Sequence, residues 1–236
     1  MIALPDCRPA DGAIIDILNI GIEGSPVIVL DGATTRPDEL IRYASASGAF
    51  EPVTDNLYPG LRAPMPLDFV KALVTRLDPL IRRVYALENL RLRSAECYYS
   101  LVSTPADRLK PFQTVPHIDT TSPNHFATVH YLCAGQFGGT AFFRQNATGF
   151  ETISPDRENA WSVARDTVLA QGDAPAYPSP ATSGYTRIAE IPAVFDRLTV
   201  YRSNALHAGI IDPALGHSAD PLTGRLTATM FIGYAP

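Results

Sequence analysis

The sequence predicts a mainly β protein with flanking helices, an α+β chain that folds as one domain over residues 1–236. After about Ser94 the chain holds eight short runs rich in Val, Tyr, Phe, Thr and Ile, which are separated by Pro, Gly, Asn and Asp. One long helical pattern precedes these runs. No linker-like stretch divides the 236 residues, and this length is usual for a single domain.

The N-terminal part, residues 1–93, is expected to be an α/β support region. Short strands are predicted at 14–18 and 27–30, and Thr35 is a suitable N-cap for a helix that follows. The turn-forming residues of 48–66 predict a long loop, since Pro and Gly are dense there. Apolar residues recur at helical spacing from 67 to 87, so this segment predicts the longest helix.

Residues 94–236 are expected to form the β-core, a barrel or a sandwich. Residues 145–185 interrupt the strands with a helical pattern at 157–171 and a loop, and loops of this length are usually functional. We therefore expect 48–66 and 145–185 to form the rim of a substrate site. The predicted strands are 95–103, 113–119, 126–133, 139–144, 186–191, 197–202, 206–211 and 225–234.

Composition excludes several classes of function. The chain has 19 basic and 24 acidic residues, a net charge of −5, and its longest basic run is Arg82-Arg83, which is not the pattern of a nucleic-acid-binding protein. No apolar run approaches the roughly 20 residues that a membrane helix needs. The N-terminal residues show no secretory pattern, and three widely spaced cysteines suit a reducing compartment. We expect a cytoplasmic protein without nucleic-acid or membrane partners.

Two histidines and an aspartate are the candidate metal ligands. His117 and Asp119 form an HxD pair after a β-like run, and alternate residues of a strand point to the same face. His207 begins a later predicted strand. Two imidazoles and one carboxylate leave part of a metal's coordination sphere open, as in non-haem Fe(II) oxygenases. Taken alone, the HxD pair also fits a surface or capping histidine beside an acid.

The last predicted strand supplies a candidate anion-binding residue. In GRLTATMFIGY, Arg225, Thr227 and Thr229 share one face of the strand. An arginine on an inward face needs an anion, because an unpaired buried charge is costly. A salt bridge to a protein acid and an exposed arginine at the end of the strand are the alternatives. Arg202, on the predicted strand before His207, is a second candidate for the anion.

Four segments in order resemble the 2-oxoglutarate- and Fe(II)-dependent oxygenases, most closely a bacterial subgroup of the prolyl-hydroxylase-like branch. The segments are PHID, ATVHYLCAGQFGGTAFFR, FDRLTVYRSNALHAG and GRLTATMFIGY. The resemblance implies a double-stranded β-helix, a jelly-roll or cupin-like core, with the N-terminal helices packed against it. It also implies an oxidoreductase, an iron-binding dioxygenase that hydroxylates an unidentified small-molecule or peptide substrate.

Carried over to this chain, the resemblance assigns a role to six residues. It places Fe(II) at His117, Asp119 and His207, which would be the catalytic and metal-binding residues. It assigns the distal carboxylate of the co-substrate 2-oxoglutarate to Arg225, with Tyr131 and Thr229 as further contacts. The separation between the distal histidine and the arginine is longer than the family's usual spacing.

Other interpretations remain open at this point. One alternative is a non-catalytic, cupin-like module that binds a metal or an anion. A zinc hydrolase with the same ligands is a third interpretation, although HxD has no neighbouring Glu as a general base. We expect His125 and His217 to face solvent, and either Tyr98 or Tyr99 to face the cavity. An exposed edge strand or the YPG loop at 58–60 is where a homodimer would form.

Overall fold

The strands of the protein form two sheets. The computed structural model describes residues 4–53, 58–133, 137–215 and 217–236. The helices are α1 (Pro37–Ser47), α2 (Leu67–Tyr85) and α3 (Glu158–Leu169). The strands are β1 (Ile14–Ile20), β2 (Ser25–Asp31), β3 (Glu51–Pro52), β4 (Gly60–Pro64), β5 (Arg91–Val102), β6 (His125–Tyr131), β7 (Thr140–Gln145), β8 (Tyr185–Ile191), β9 (Leu198–Arg202), β10 (His207–Gly209) and β11 (Leu226–Ala235).

The larger sheet has eight strands and the smaller has three. Their orders are β1-β2-β9-β6-β11-β5-β4-β3 and β10-β7-β8. The strand pairs within the described residues are antiparallel. The fold is therefore mainly β with a few helices, as the sequence predicts.

The helices α1 and α2 pack against one face of the larger sheet. Leu40 of α1 and Leu77 of α2 are fully buried in one apolar cluster with Tyr99, Leu101 and Ile232 of β5 and β11. Burial of such apolar side chains is the main favourable contribution to folding. No helix among the described residues is long and apolar enough to cross a membrane.

The opposite face of the larger sheet packs against the smaller sheet. Val27, Ala127 and Tyr201 of the larger sheet share an apolar cluster with Phe142 and Ile191 of β7 and β8. The ring of Phe142 meets that of Tyr201 edge to face, with centroids 5.0 Å apart. The space between the two sheets is where the candidate site lies.

Two predictions about local structure are wrong. Residues 48–66 are not a loop throughout, because they contain β3 and β4. Residues 113–119 do not form a strand, and His117 makes an isolated β-bridge instead. The helix predicted at 67–87 is confirmed, but it ends at Tyr85 because Ala86 adopts a left-handed conformation with φ of 55°.

The division into a support region and a β-core stays a prediction. The structure adds that strands from both parts share one sheet, since β2 pairs with β9 and β4 pairs with β5. The predicted boundary between residues 93 and 94 falls inside β5. The N-terminal strands thus extend the larger sheet on both sides.

Glu151 joins the β1–β2 turn to the segment before α3. Its side chain is buried and accepts hydrogen bonds from the backbone N–H groups of Ile22 and Glu23, at 3.1 and 3.0 Å. The guanidinium of Arg144 donates to the same carboxylate at 2.9 Å. A Cβ at Gly21, whose φ is +67°, would lie 2.0 Å from this carboxylate, so the turn requires glycine.

Replacing Glu151 with Ala is expected to lower the free energy of unfolding by about 3 kcal/mol, because Arg144 and two backbone donors lose a buried partner. Urea denaturation followed by circular dichroism measures the change. The matched control is Glu190→Ala, which removes a more exposed ion pair with Arg187 and should cost less than about 1 kcal/mol. Equal losses in the two variants would show that Glu151 does not anchor the turn.

Candidate metal centre and cavity

The structure brings the three predicted metal ligands together. The ligand atoms of His117, Asp119 and His207 all lie within 4.8 Å of one another. The Nε2 atom of His207 is 3.9 Å from Oδ2 of Asp119, and the two imidazole centroids are 4.5 Å apart. These separations are small enough for one ion to bind all three side chains.

A backbone bridge, rather than a regular strand, aligns these ligands. The N–H of His117 donates to the carbonyl of His207, and the N–H of His207 donates back, each at 2.9 Å. The N–H of Asp119 then donates to the carbonyl of Ser203 at 2.9 Å. Residues opposite each other in such an antiparallel pair have neighbouring side chains, which places the two imidazoles side by side.

The protonation of the site suits a metal. The Nδ1 of His207 is 2.9 Å from the carbonyl of Ala205, which can only accept, so Nδ1 carries the hydrogen and Nε2 has a free lone pair. Burial lowers the pKa of His207 to about 4, and burial together with the neighbouring His207 lowers the pKa of His117 to about 4. Both imidazoles are therefore neutral at neutral pH and able to bind a cation.

Asp119 completes this donor set with an oxygen ligand. Burial raises the pKa of its carboxyl, while the nearby histidines and a hydrogen bond from the Ser203 side chain act in the opposite direction. A positive ion beside it would favour the charged form in the same way. Two neutral imidazoles and a carboxylate are the ligands of non-haem Fe(II) sites that keep open positions, so these residues fit Fe(II).

The candidate ligands line a cavity of about 490 Å³ between the two sheets. A cavity of this volume is in the range that holds small molecules. Tyr58 and Pro59 line it from the segment 48–66, and Tyr177 and Pro178 line it from 145–185. Both segments therefore border the cavity, as the sequence analysis expects of a rim.

Arg225 also lines this cavity, immediately before β11. The side chain is buried, and its Nε and Nη2 donate to the carbonyls of Gly138 and Gly139 at 2.9 and 3.0 Å. A Cβ at Gly139 would lie 1.8 Å from the carbonyl oxygen of Ile191, so the second glycine of the GGT sequence is required by close packing. The longer separation from His207 therefore does not remove Arg225 from the cavity.

The comparison with protein families identifies the chain. A model described as a family of unknown function, DUF6445, matches residues 11–232. The chain belongs to this family. No curated protein matches it.

Solved structures with a similar fold include the following three. The non-haem α-ketoglutarate-dependent carbocyclase SnoK from nogalamycin biosynthesis has a TM-score of 0.50 and 9% identity, over 89% of this chain and 79% of that chain. HygX from Streptomyces hygroscopicus, with nickel, 2-oxoglutarate and hygromycin B bound, has a TM-score of 0.47 and 13% identity, over 91% and 84% of the two chains. A Pseudomonas putida prolyl-4-hydroxylase has a TM-score of 0.46 and 15% identity, over 85% and 88%.

The likeness to SnoK confirms, for the fold, the predicted resemblance of this DUF6445 chain to 2-oxoglutarate- and Fe(II)-dependent oxygenases. At 9% identity it shows the fold alone and carries no residue-level assignment. The bacterial subgroup within that superfamily stays a prediction. The roles of individual side chains depend on the geometry of the cavity.

The other two predicted co-substrate contacts lie on the cavity face of the sheet. Thr229 lines the cavity, and its Oγ1 is 2.9 Å from Oγ of Ser100. Tyr131 is fully buried, and its hydroxyl is 2.7 Å from Oγ1 of Thr140. Thr140, and not Tyr131, is among the described residues that line the cavity. The assigned roles of Thr229 and Tyr131 stay predictions.

Arg202 does not serve as a second anion-binding residue in the cavity. Its guanidinium lies over the rings of Tyr85 and Phe126, at 5.1 and 5.6 Å from their centroids, on the helix side of the sheet. It donates to the backbone carbonyls of Pro123 and Tyr85. This expectation is wrong because Arg202 belongs to the packing between α2 and the larger sheet.

Of the two tyrosines of β5, Tyr98 lies on the cavity face of the larger sheet and Tyr99 lies on the helix face. Tyr98 pairs across the sheet with Thr229, which lines the cavity. Tyr99 is fully buried in the cluster formed with the helices. This arrangement follows the alternation of side chains along a strand.

Arg62 and His125 are among the cavity residues that the sequence-based assignment does not include. Arg62 lines the cavity from β4, which lies within segment 48–66, where the turn-forming residues predict a loop. His125 was expected to face solvent, but it begins β6, lines the cavity and stacks on Phe231 with centroids 6.1 Å apart. The polar sequence around His125 resembles a loop, so no local signal identifies it.

Ser203 connects His125 to the metal centre. Its hydroxyl is 2.8 Å from Nδ1 of His125, its backbone carbonyl accepts the hydrogen bond from the N–H of Asp119, and its side chain lowers the pKa of the Asp119 carboxyl. Hydrogen bonds of this kind orient a ligand before a metal arrives. Ser203 therefore contacts His125 through its hydroxyl and Asp119 through its backbone carbonyl at the edge of the cavity.

Replacing Ser203 with Ala is expected to weaken Zn²⁺ binding roughly tenfold or more, because the Ser203 side chain lowers the pKa of the ligand Asp119 and so favours its charged form. Competition with a chromophoric zinc chelator measures the dissociation constant. The matched control is Ser154→Ala, which removes an exposed hydroxyl bonded to Asp156 and should leave zinc binding unchanged. Unchanged affinity in Ser203→Ala would exclude this role of Ser203.

Proposed function

We propose that the protein is an Fe(II)- and 2-oxoglutarate-dependent oxygenase that hydroxylates an unidentified substrate. The observation that supports this proposal is the pair of neutral imidazoles and one carboxylate in a cavity that also contains a buried arginine. Fe(II), 2-oxoglutarate and dioxygen together supply the oxidising chemistry when they are bound. The protein supplies the ligands, the orientation and the exclusion of water.

The roles proposed for the side chains follow from their positions. His117, Asp119 and His207 hold the metal from one side of the cavity. Arg225 pairs with the distal carboxylate of 2-oxoglutarate, because a guanidinium is always charged and recognises carboxylates. Thr229 offers a hydroxyl on the same wall of the cavity.

The finer description of the fold is part of this proposal. Two facing antiparallel sheets that enclose a cavity are consistent with a double-stranded β-helix, the jelly-roll core of these oxygenases. The alternative function, a non-catalytic cupin-like module, is less well supported. The donor set of two imidazoles and one carboxylate is the one that non-haem Fe(II) oxygenases use, and this favours the oxygenase. The cytoplasmic location stays a prediction.

Anaerobic addition of Fe(II) and 2-oxoglutarate is expected to produce a visible charge-transfer band, because both would bind in one cavity. His117→Ala should abolish this band, since it removes one of the metal ligands. Absorbance spectroscopy measures the band, and admission of oxygen should then release succinate from the unchanged protein.

His217→Ala is the matched control, because it removes a histidine that lies outside the three-residue cluster. It should retain the band. A wild-type protein without a band, or a band that persists in His117→Ala, would contradict the proposed oxygenase.

We also propose that the protein associates as a homodimer through β1. This strand is at the edge of the larger sheet and exposes four large aliphatic side chains. Unpaired backbone groups on an edge strand favour pairing with another strand. The YPG loop is the less favoured site, because Tyr58 and Pro59 line the cavity. The exposed residues are Ile14, Ile15, Ile17 and Leu18.

Replacing Ile17 with Lys is expected to convert the dimer to a monomer, because a charge would be placed on the pairing edge. Light scattering coupled to size exclusion gives the mass of each form. Val163→Lys, at an exposed apolar position on α3, is the control and should remain dimeric. A monomeric wild-type protein would refute the dimer.

A further inference from the structure

Arg62 projects from β4 onto the cavity face of the larger sheet. It pairs across the strands with Ser100 of β5, which in turn pairs with Thr227 of β11, and Thr227 lines the cavity. The Cζ of Arg62 is 4.8 Å from the ring centroid of Tyr58 and 5.0 Å from that of Tyr98. Aromatic faces thus hold the guanidinium inside the cavity wall.

The positive charge of Arg62 has no ion-pair partner among the described residues. Its Nε is buried and has no hydrogen-bond acceptor within that part of the chain. Burial lowers the pKa of Arg62, while the more distant charges of Asp119 and Glu96 act in the opposite direction. Because Asp119 is a candidate metal ligand, its charge is also needed by the ion. Within the described residues, the guanidinium of Arg62 is therefore left without a paired anion.

Arg62 and Arg225 are held in the cavity by different contacts. The carbonyls of Gly138 and Gly139 hold the guanidinium of Arg225, whereas rings surround that of Arg62. Both positive charges act on the hydroxyl of Tyr58 and oppose the rise of its pKa that burial causes. The cavity thus contains two guanidinium groups, and one co-substrate carboxylate accounts for one of them.

We propose that Arg62 binds a carboxylate of the primary substrate, which makes that substrate a small carboxylic acid. This ligand is the primary substrate only if the protein is the proposed oxygenase. That the ligand carries a carboxylate is inferred from Arg62 alone. The planar guanidinium keeps donors at its edge while its faces contact rings, and this edge matches the two oxygens of a carboxylate. Phe231, 5.9 Å from Cζ, adds an apolar surface for the body of the ligand.

Benzoate and benzamide are the probes for this site, because they have nearly the same shape and differ in charge. Isothermal titration calorimetry is carried out on the full chain with Zn²⁺ in place of iron and saturating 2-oxoglutarate. We expect benzoate to bind roughly tenfold more tightly than benzamide, since a charged hydrogen-bonded pair contributes about this much or more. Arg62→Gln should remove the difference between the probes.

Arg62→Lys and Arg225→Gln are the companion variants. Arg62→Lys keeps the charge without the planar edge, so the preference for benzoate should fall but persist. Arg225→Gln should weaken 2-oxoglutarate and, when titrated without the co-substrate, should keep the preference for benzoate. Thermal unfolding of each variant verifies that it is folded. The comparison of benzoate with benzamide on the unchanged protein does not depend on any variant.

Three results would overturn the inference. These are equal binding of benzoate and benzamide to the unchanged protein, a preference for benzoate that survives Arg62→Gln, and loss of 2-oxoglutarate binding in Arg62→Gln. The last result would assign Arg62 to the co-substrate. The titrations are also repeated without 2-oxoglutarate. A missing charge-transfer band would contradict the proposed oxygenase, whereas these titrations test the carboxylate site by itself, so the two failures are distinguishable.

Discussion

The reciprocal backbone hydrogen bonds between His117 and His207 are the constraint on which the rest of the site depends. They attach an otherwise irregular segment to β10 and so place two imidazoles side by side. β10 pairs with β7, and the glycines that lead into β7 hold Arg225 through their carbonyls. The same small sheet therefore fixes the metal ligands and the guanidinium relative to each other.

The charges of the cavity differ from those of the whole chain. The chain has a net charge of −5, yet Arg62 and Arg225 both line the cavity. The acids in the same wall are Asp119, a candidate metal ligand, and Glu96, which is exposed. Once a metal has engaged Asp119, the inner surface is left with positive charge, and it favours anionic ligands over neutral ones of the same shape.

The features that follow from periodicity could be predicted from the sequence, whereas those that depend on tertiary contacts could not. The alternation along β11 places Thr227 and Thr229 on the cavity face, as expected. β4 could not be predicted, because Gly60 is typical of a turn. In the structure Gly60 instead marks a close approach of two strands, since a Cβ there would lie 1.9 Å from the carbonyl oxygen of Leu101. Arg62 was missed for the same reason, since a strand has to exist before its facing side chains can be assigned.

The residues proposed to bind the metal and the residue proposed to select the ligand lie in different parts of the sequence. The candidate metal ligands come from the segment after residue 116 and from β10 of the smaller sheet. Arg62 comes from β4, which lies next to the edge strand β3 of the larger sheet. Mutations in β4 can therefore change which molecules are accepted without disturbing the groups that hold the ion. Divergence of ligand preference among proteins of this architecture would then be concentrated in the N-terminal strands, and grafting of this strand offers a route to altered selectivity.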